Sequence, residues 1–235
     1  MYKLFILSLI ASIILFSGCE KDNNVATVQE FNFSFQSDPE GWIGDFADYL
    51  SGTPEHESIY EMQFSHAMLP NPLNTNDGAL RQSGNNRSDD LFMFVKKKIT
   101  GLELNRNYTI SIEIEIATNA PSGRVGSGGI PGEGVAIKAG ASTIEPVKVI
   151  DNTDNHYRMN VDKGNQSNDG PTIKLIGDFA NGTNSEDYRL KRLSTSSPVN
   201  VQSNANGELW LIVGTDSGYE GTTTIYYNYI KAALR

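Results

Sequence analysis

The chain is predicted to be all-β, an antiparallel sandwich whose strands are joined by long loops. Three observations predict this. Apolar and polar residues alternate with a period of two in several short runs. No stretch sustains a three-four apolar spacing over three turns, and segments dense in Gly, Asn, Asp, Ser and Pro separate the runs. A helix scatters alternate residues around its circumference, whereas a strand places them on one face.

Taken in order, Phe31, Phe33 and Phe35 alternate with Asn32, Ser34 and Gln36, and Tyr60, Met62 and Phe64 repeat the pattern. Residues 91–95 (LFMFV) are continuously apolar, as for a strand covered on both faces, and give way to Lys96-Lys97-Lys98. The clearest strand is 108–116, where Tyr108, Ile110, Ile112, Ile114 and Ile116 alternate with Thr109, Ser111, Glu113 and Glu115. Further strands are expected at 135–138, 146–150, 156–161, 172–176, 208–213 and 222–232, about ten in all. Residues 70–89 and 180–206 read as long loops, where binding sites tend to lie on a rigid sandwich. With no repeat of fixed period and no dividing linker, residues 30–235 are read as one domain.

Residues 1–18 combine Lys3, an apolar run over 4–16 and small residues before Cys19, the organisation of a secretory signal peptide. The run is shorter than the about 20 apolar residues of a comfortable membrane span. A cysteine directly after Ser17-Gly18 resembles the lipobox of bacterial lipoproteins. The resemblance implies cleavage before Cys19, diacylglycerol on its sulfur and acylation, as with palmitate, of the new N-terminus. Stable anchoring takes at least two acyl chains, which that modification supplies. Residues 19–29 are polar and read as a lipidated flexible tether. Within it, Cys19-Glu20-Lys21-Asp22 is similar to the signals that send Bacteroidota lipoproteins to the outer cell surface. The expected location is the outer membrane, lipid-anchored and surface-exposed.

Cys19 is the only cysteine, so its lipidation leaves no thiol for a disulfide, and the core must hold the domain. The formal charge is −9, and Lys3 is the only charge in residues 1–18, which leaves −10 after cleavage. Such an acidic chain lacks the basic stripe that nucleic acid requires.

The two ends of the domain carry a second resemblance. Phe33-Ser34-Phe35-Gln36 followed by Gly41-Trp42 looks like the first strand of jelly-roll, galactose-binding-like carbohydrate-binding modules. Residues 209–214 (LWLIVG) and 224–230 (TIYYNYI) are similar to their last two strands. The resemblance implies a penultimate strand beside the first, and often a calcium where the termini meet. The calcium positions, an acid after the first strand and an aspartate in the last, hold Gln36 and Asn228 here, which offer only neutral carbonyl oxygens.

Candidate ligand-binding residues follow from chemistry. In residues 84–90 (GNNRSDD), Asn86, Arg87, Asp89 and Asp90 combine a forked guanidinium with acceptors for sugar hydroxyls or a cation. The alternative is a turn whose Asn and Asp satisfy local backbone, with Arg87 paired internally in a buried corner. In residues 42–49, Asp45, Asp48 and Tyr49 join carboxylates to an aromatic face that can stack on a sugar, while Trp42 reads as core. Asp216 and Glu220, in what reads as an acidic hairpin tip over 214–221, are a candidate calcium site or a solvated turn. The glycine-rich 123–134 lacks the context of a phosphate loop, and His56, His66 and His156 have no zinc spacing.

The expected function is a non-catalytic, lipid-anchored glycan-binding module, without an assigned catalytic residue. A glycan-active hydrolase or lyase, and a structural or adhesion lipoprotein that binds another envelope protein, are the alternatives. A groove lined by exposed aromatics with no paired carboxylates favours the first, close carboxylates with one raised pKa the second, and an exposed apolar patch or open sheet edge the third.

Overall fold

The computed structural model describes residues 28–235; Cys19, the signal segment and the tether as far as residue 27 lie outside them. The strands in chain order are β1 (Gln29–Phe33), β2 (Ile43–Ala47), β3 (Tyr49–Leu50), β4 (Gln63–Met68), β5 (Gly78–Asn85), β6 (Leu91–Ile99) and β7 (Asn107–Thr118). They continue with β8 (Val135–Ser142), β9 (Lys148–Asp151), β10 (His156–Met159), β11 (Ile173–Asp178) and β12 (Arg189–Ser194). The last are β13 (Val199–Gln202), β14 (Leu209–Ser217) and β15 (Thr222–Leu234), and among the described residues the one helix is the short α1 (Pro54–Ser58).

Two antiparallel sheets form the predicted sandwich. The larger runs β12-β7-β15-β5-β4, with β1 also on β15 and β13 also on β7; the smaller runs β11-β8-β14-β6-β2. The core lies between them. Ile110, Ile112, Ile114 and Ile116 of β7 are all buried there, while Thr109, Ser111 and Glu113 point outward, as the period of two predicts. Trp42 is core too, edge-on to Phe33 and Phe35.

The smaller sheet has a third layer on its outer face. Leu91, Met93 and Val95 of β6 join the main core, while Phe92 and Phe94 join a second cluster with Ala47, Ile173 and Ile212. Met159 and Val161 pack on that cluster from the small sheet β3-β10-β9 and the strap that follows it. The continuous apolar run therefore marks a strand covered on both sides, as expected. The strap, residues 160–172, lies close because Gly140 has no side chain: a Cβ there would sit 2.1 Å from the Thr172 carbonyl oxygen.

Three expectations are corrected. The expected loop 70–89 contains β5, which pairs with both β4 and β15. The expected loop 180–206 contains β12 and β13, which extend β7. The strand beside β1 is the last one, β15, since β14 belongs to the other sheet.

Candidate functional site

Beneath the strap, charges converge. Asp48 follows β2 with φ +59°, Asp90 precedes β6, and Asp216 sits near the end of β14. Each offers a carboxylate oxygen within 4.8 Å of the others. Lys163 of the strap places Nζ 2.7 Å from Asp216 Oδ2 and 2.8 Å from Asp48 Oδ2. Lys138 of β8 lies 3.1 Å from Asp216 Oδ2 and donates to the carbonyls of Lys163 and Asn168. Arg158 of β10 comes within 3.6 Å of Asp48 and 3.9 Å of Asp90.

Burial governs the titration of this cluster. It raises Asp48 against the pull of Lys163, and with Asp216 it pushes Asp90 up to about 7. Burial opposes the charge on Lys163 too, but Asp216 and Asp48 outweigh it and raise its pKa. For Lys138 burial wins and lowers the pKa. A cleft of about 340 Å³, lined by Asp48, Asp90, Arg158, Asp162 and Lys163, opens above. Asp216 is sealed from it and Asp48 nearly so, which leaves Asp90 and Arg158 facing solvent in part.

The sequence-derived candidates thus separate. Asp48, Asp90 and Asp216 come together, which local sequence did not indicate. Asp45 accepts from the Phe46 amide and lies 3.4 Å from Lys148. Tyr49 is buried core, its hydroxyl accepting from Lys148 at 2.8 Å, so it presents no stacking face. Asn86 is buried and ties the end of β14 through the Ser217 and Tyr219 carbonyls. Arg87 is exposed rather than buried, its guanidinium beside the Asn85 side-chain amide. Asp89 is exposed at φ +67°, and its carbonyl accepts from Gln166. Of the candidate calcium pair, Asp216 lies within a strand beside Lys138 and Lys163, whereas Glu220 accepts from Ser127.

The outer face of the larger sheet is different. No described element covers it, and a groove of about 390 Å³ crosses β1, β7, β12 and β15. Glu30, Asn32, Ser111, Glu113, Ser194 and Lys231 supply its polar lining. At Asn228 the β15–β7 register slips, so Asn228 and Tyr229 both face outward. Tyr229 donates its hydroxyl to Glu113 at 2.8 Å, and Lys231 lies 4.5 Å from the ring centre. Burial and the Glu113 carboxylate push the Tyr229 phenol up to about 12, so it stays a neutral donor. Glu115, expected outside, is buried on this face because Arg192 and Asn228 close over it at 2.6 and 2.8 Å. Farther along, Tyr188 and Tyr226 meet edge-on over Leu69, Ala79 and Ala117. Sequence reading missed this face, although its signal was present in the polar half of 108–116 and in the paired tyrosines of 226–229.

No family model matches the chain, and no curated protein matches it. Among solved structures it is similar to a carbohydrate-binding module from the β-sandwich superfamily, with 10% identity, a TM-score of 0.40 and 83% of this chain covered. It spans 58% of that chain, less than two thirds of its length. It is also similar to a carbohydrate-binding module described for mannan recognition, at 14% identity and TM-score 0.35, covering 89% of this chain and 99% of that one. A third is the enzymatically active domain of tailspike protein 4 of bacteriophage CBA120, at 11% identity and TM-score 0.36, covering 82% of this chain and 19% of that one. Ligand and activity do not follow from such likenesses, because one sandwich architecture hosts many of both.

Proposed function

We propose that this is a lipid-anchored outer-membrane protein, displayed at the cell surface, whose sandwich binds glycan without cleaving it. The observation that supports this most is the open groove on the larger sheet. Its carboxylates, hydroxyls and ammonium match the alternating donors and acceptors of a sugar, and the Tyr229 ring stands beside them. A glycan-array screen followed by calorimetry tests it. Tyr229→Ala should weaken binding at least tenfold, about 1.4 kcal/mol, with an unchanged melting temperature. Binding that survives both Tyr229→Ala and Glu113→Ala sinks the groove reading. The anchor is tested separately: Cys19→Ala should move the protein from the membrane to the soluble fraction, and persistent membrane attachment overturns it.

One observation favours a second reading, a glycan-active enzyme. Asp90, with its raised pKa, faces a cleft beside Arg158. Against it, the neighbouring Asp48 and Asp216 are turned inward onto Lys163. Release of reducing ends by the wild type, abolished in Asp90→Asn, would select that reading instead.

A further inference from the structure

The buried cluster holds chemistry that neither a binding groove nor a packed core requires. Lys138, Asp216 and Asp90 stand on or next to three adjacent antiparallel strands, β8, β14 and β6. In register Lys138 opposes Gly214 and Asp216 opposes Ala136, so the two side chains are diagonal neighbours on one face. Both are fully buried, with Nζ 3.1 Å from Oδ2. Among the described residues, Asp216 Oδ1 and Asp90 Oδ1 are buried without a hydrogen-bond partner. A single proton on Asp90, shared with Asp216, would satisfy both oxygens.

We propose that Lys138 and Asp216 condense into an intramolecular amide cross-link between β8 and β14, with Asp90 as the proton carrier. The lysine nitrogen attacks the Asp216 side-chain carbon, the new C–N bond forms, and one carboxyl oxygen leaves as water. Ammonium plus carboxylate gives amide plus water, so no oxidant or activating group is needed and Asp90 is regenerated. Each neighbour suits a step. Burial lowers the Lys138 pKa and so favours the neutral, nucleophilic amine, while Asp90, raised to about 7, both gives and takes a proton near neutrality. The Lys163 ammonium, 2.7 Å from Asp216 Oδ2, stands where negative charge develops on the tetrahedral oxygen. The bond would tie two central strands of a chain whose only cysteine is Cys19.

Peptide mapping of the full wild-type chain by mass spectrometry tests this directly. Trypsin should fail to cut after Lys138, and the peptides carrying Lys138 and Asp216 should appear joined and one water lighter than their sum. Recovery of the two only as separate, unmodified peptides, before and after prolonged incubation at neutral pH, overturns the proposal. Lys138→Arg should abolish the joined species. Asp90→Asn, checked for folding by circular dichroism, should slow its appearance at least tenfold; formation at the wild-type rate removes Asp90 from the role assigned to it.

Discussion

The two outer faces of this sandwich carry the same residue types and use them oppositely. On the smaller sheet, Asp48, Asp216, Lys138 and Lys163 are sealed under the strap and consume one another's charge. On the larger sheet, Glu113 and Lys231 are about half exposed and 3.6 Å apart. A carboxylate beside an ammonium is therefore buried scaffold in one place and open to water in the other. Desolvation makes the difference, because a buried charge that loses its partner is costly, whereas an exposed one is rescued by water.

The largest test of that contrast is Lys163→Met. It leaves the buried Asp48 carboxylate without its closest cation, and should cost about 3–5 kcal/mol, lowering the melting temperature by roughly 10 °C. A loss under about 1 kcal/mol would show that the strap charges behave like surface ones.

The next effect is on pH. Asp90 is near 7 in the folded protein, well above an unfolded aspartate at about 3.9. The folded state therefore binds this proton more tightly, and the stabilisation is complete below about 4 and lost as pH rises through about 7. Asp48, raised in the same direction, adds to the trend. Urea melts should show lower stability at pH 8 than at pH 5, by on the order of 2 kcal/mol. Asp90→Asn, which mimics the protonated acid, should flatten the difference. An unaltered pH profile in that variant would place the dependence elsewhere.

The smallest effect is on the open face. Lys231→Met should change stability by less than about 0.5 kcal/mol, read by thermal melts, while weakening any glycan bound in the groove. A large destabilisation would mean that this face is scaffold as well, and the comparison would collapse.

How far the molecule could be read from its sequence varies by element. Strands β6 and β7 were legible because their faces are written in consecutive residues. Strand β5 (GALRQSGN) was not, because Gly78, Gln82 and Gly84 stand where an apolar alternation would show. Gln82 is fully buried even so, since its amide donates to the Asp45 and Phe94 carbonyls. Strand β12 (RLKRLS) is a half-exposed edge whose pairing with β7 comes from register, with little burial of its own to signal it. Of the candidate site residues, Asp48, Asp90 and Asp216 were each singled out, but in three unrelated segments and with no hint that they meet.

By itself the sequence determined that the chain is β, which residues of 108–116 face inward, and that 91–95 is covered twice. Those properties rest on side-chain periodicity and local apolar density, which are carried by neighbours in the chain. Only the tertiary structure decided which outer face is sealed, which carboxylates share a lysine, and which strand lies beside β1. Those depend on pairing between distant segments and on how much water the packing excludes. The raised pKa of Asp90 follows from that exclusion and the groove beside Tyr229 from that pairing, so neither exists until the sheets have formed.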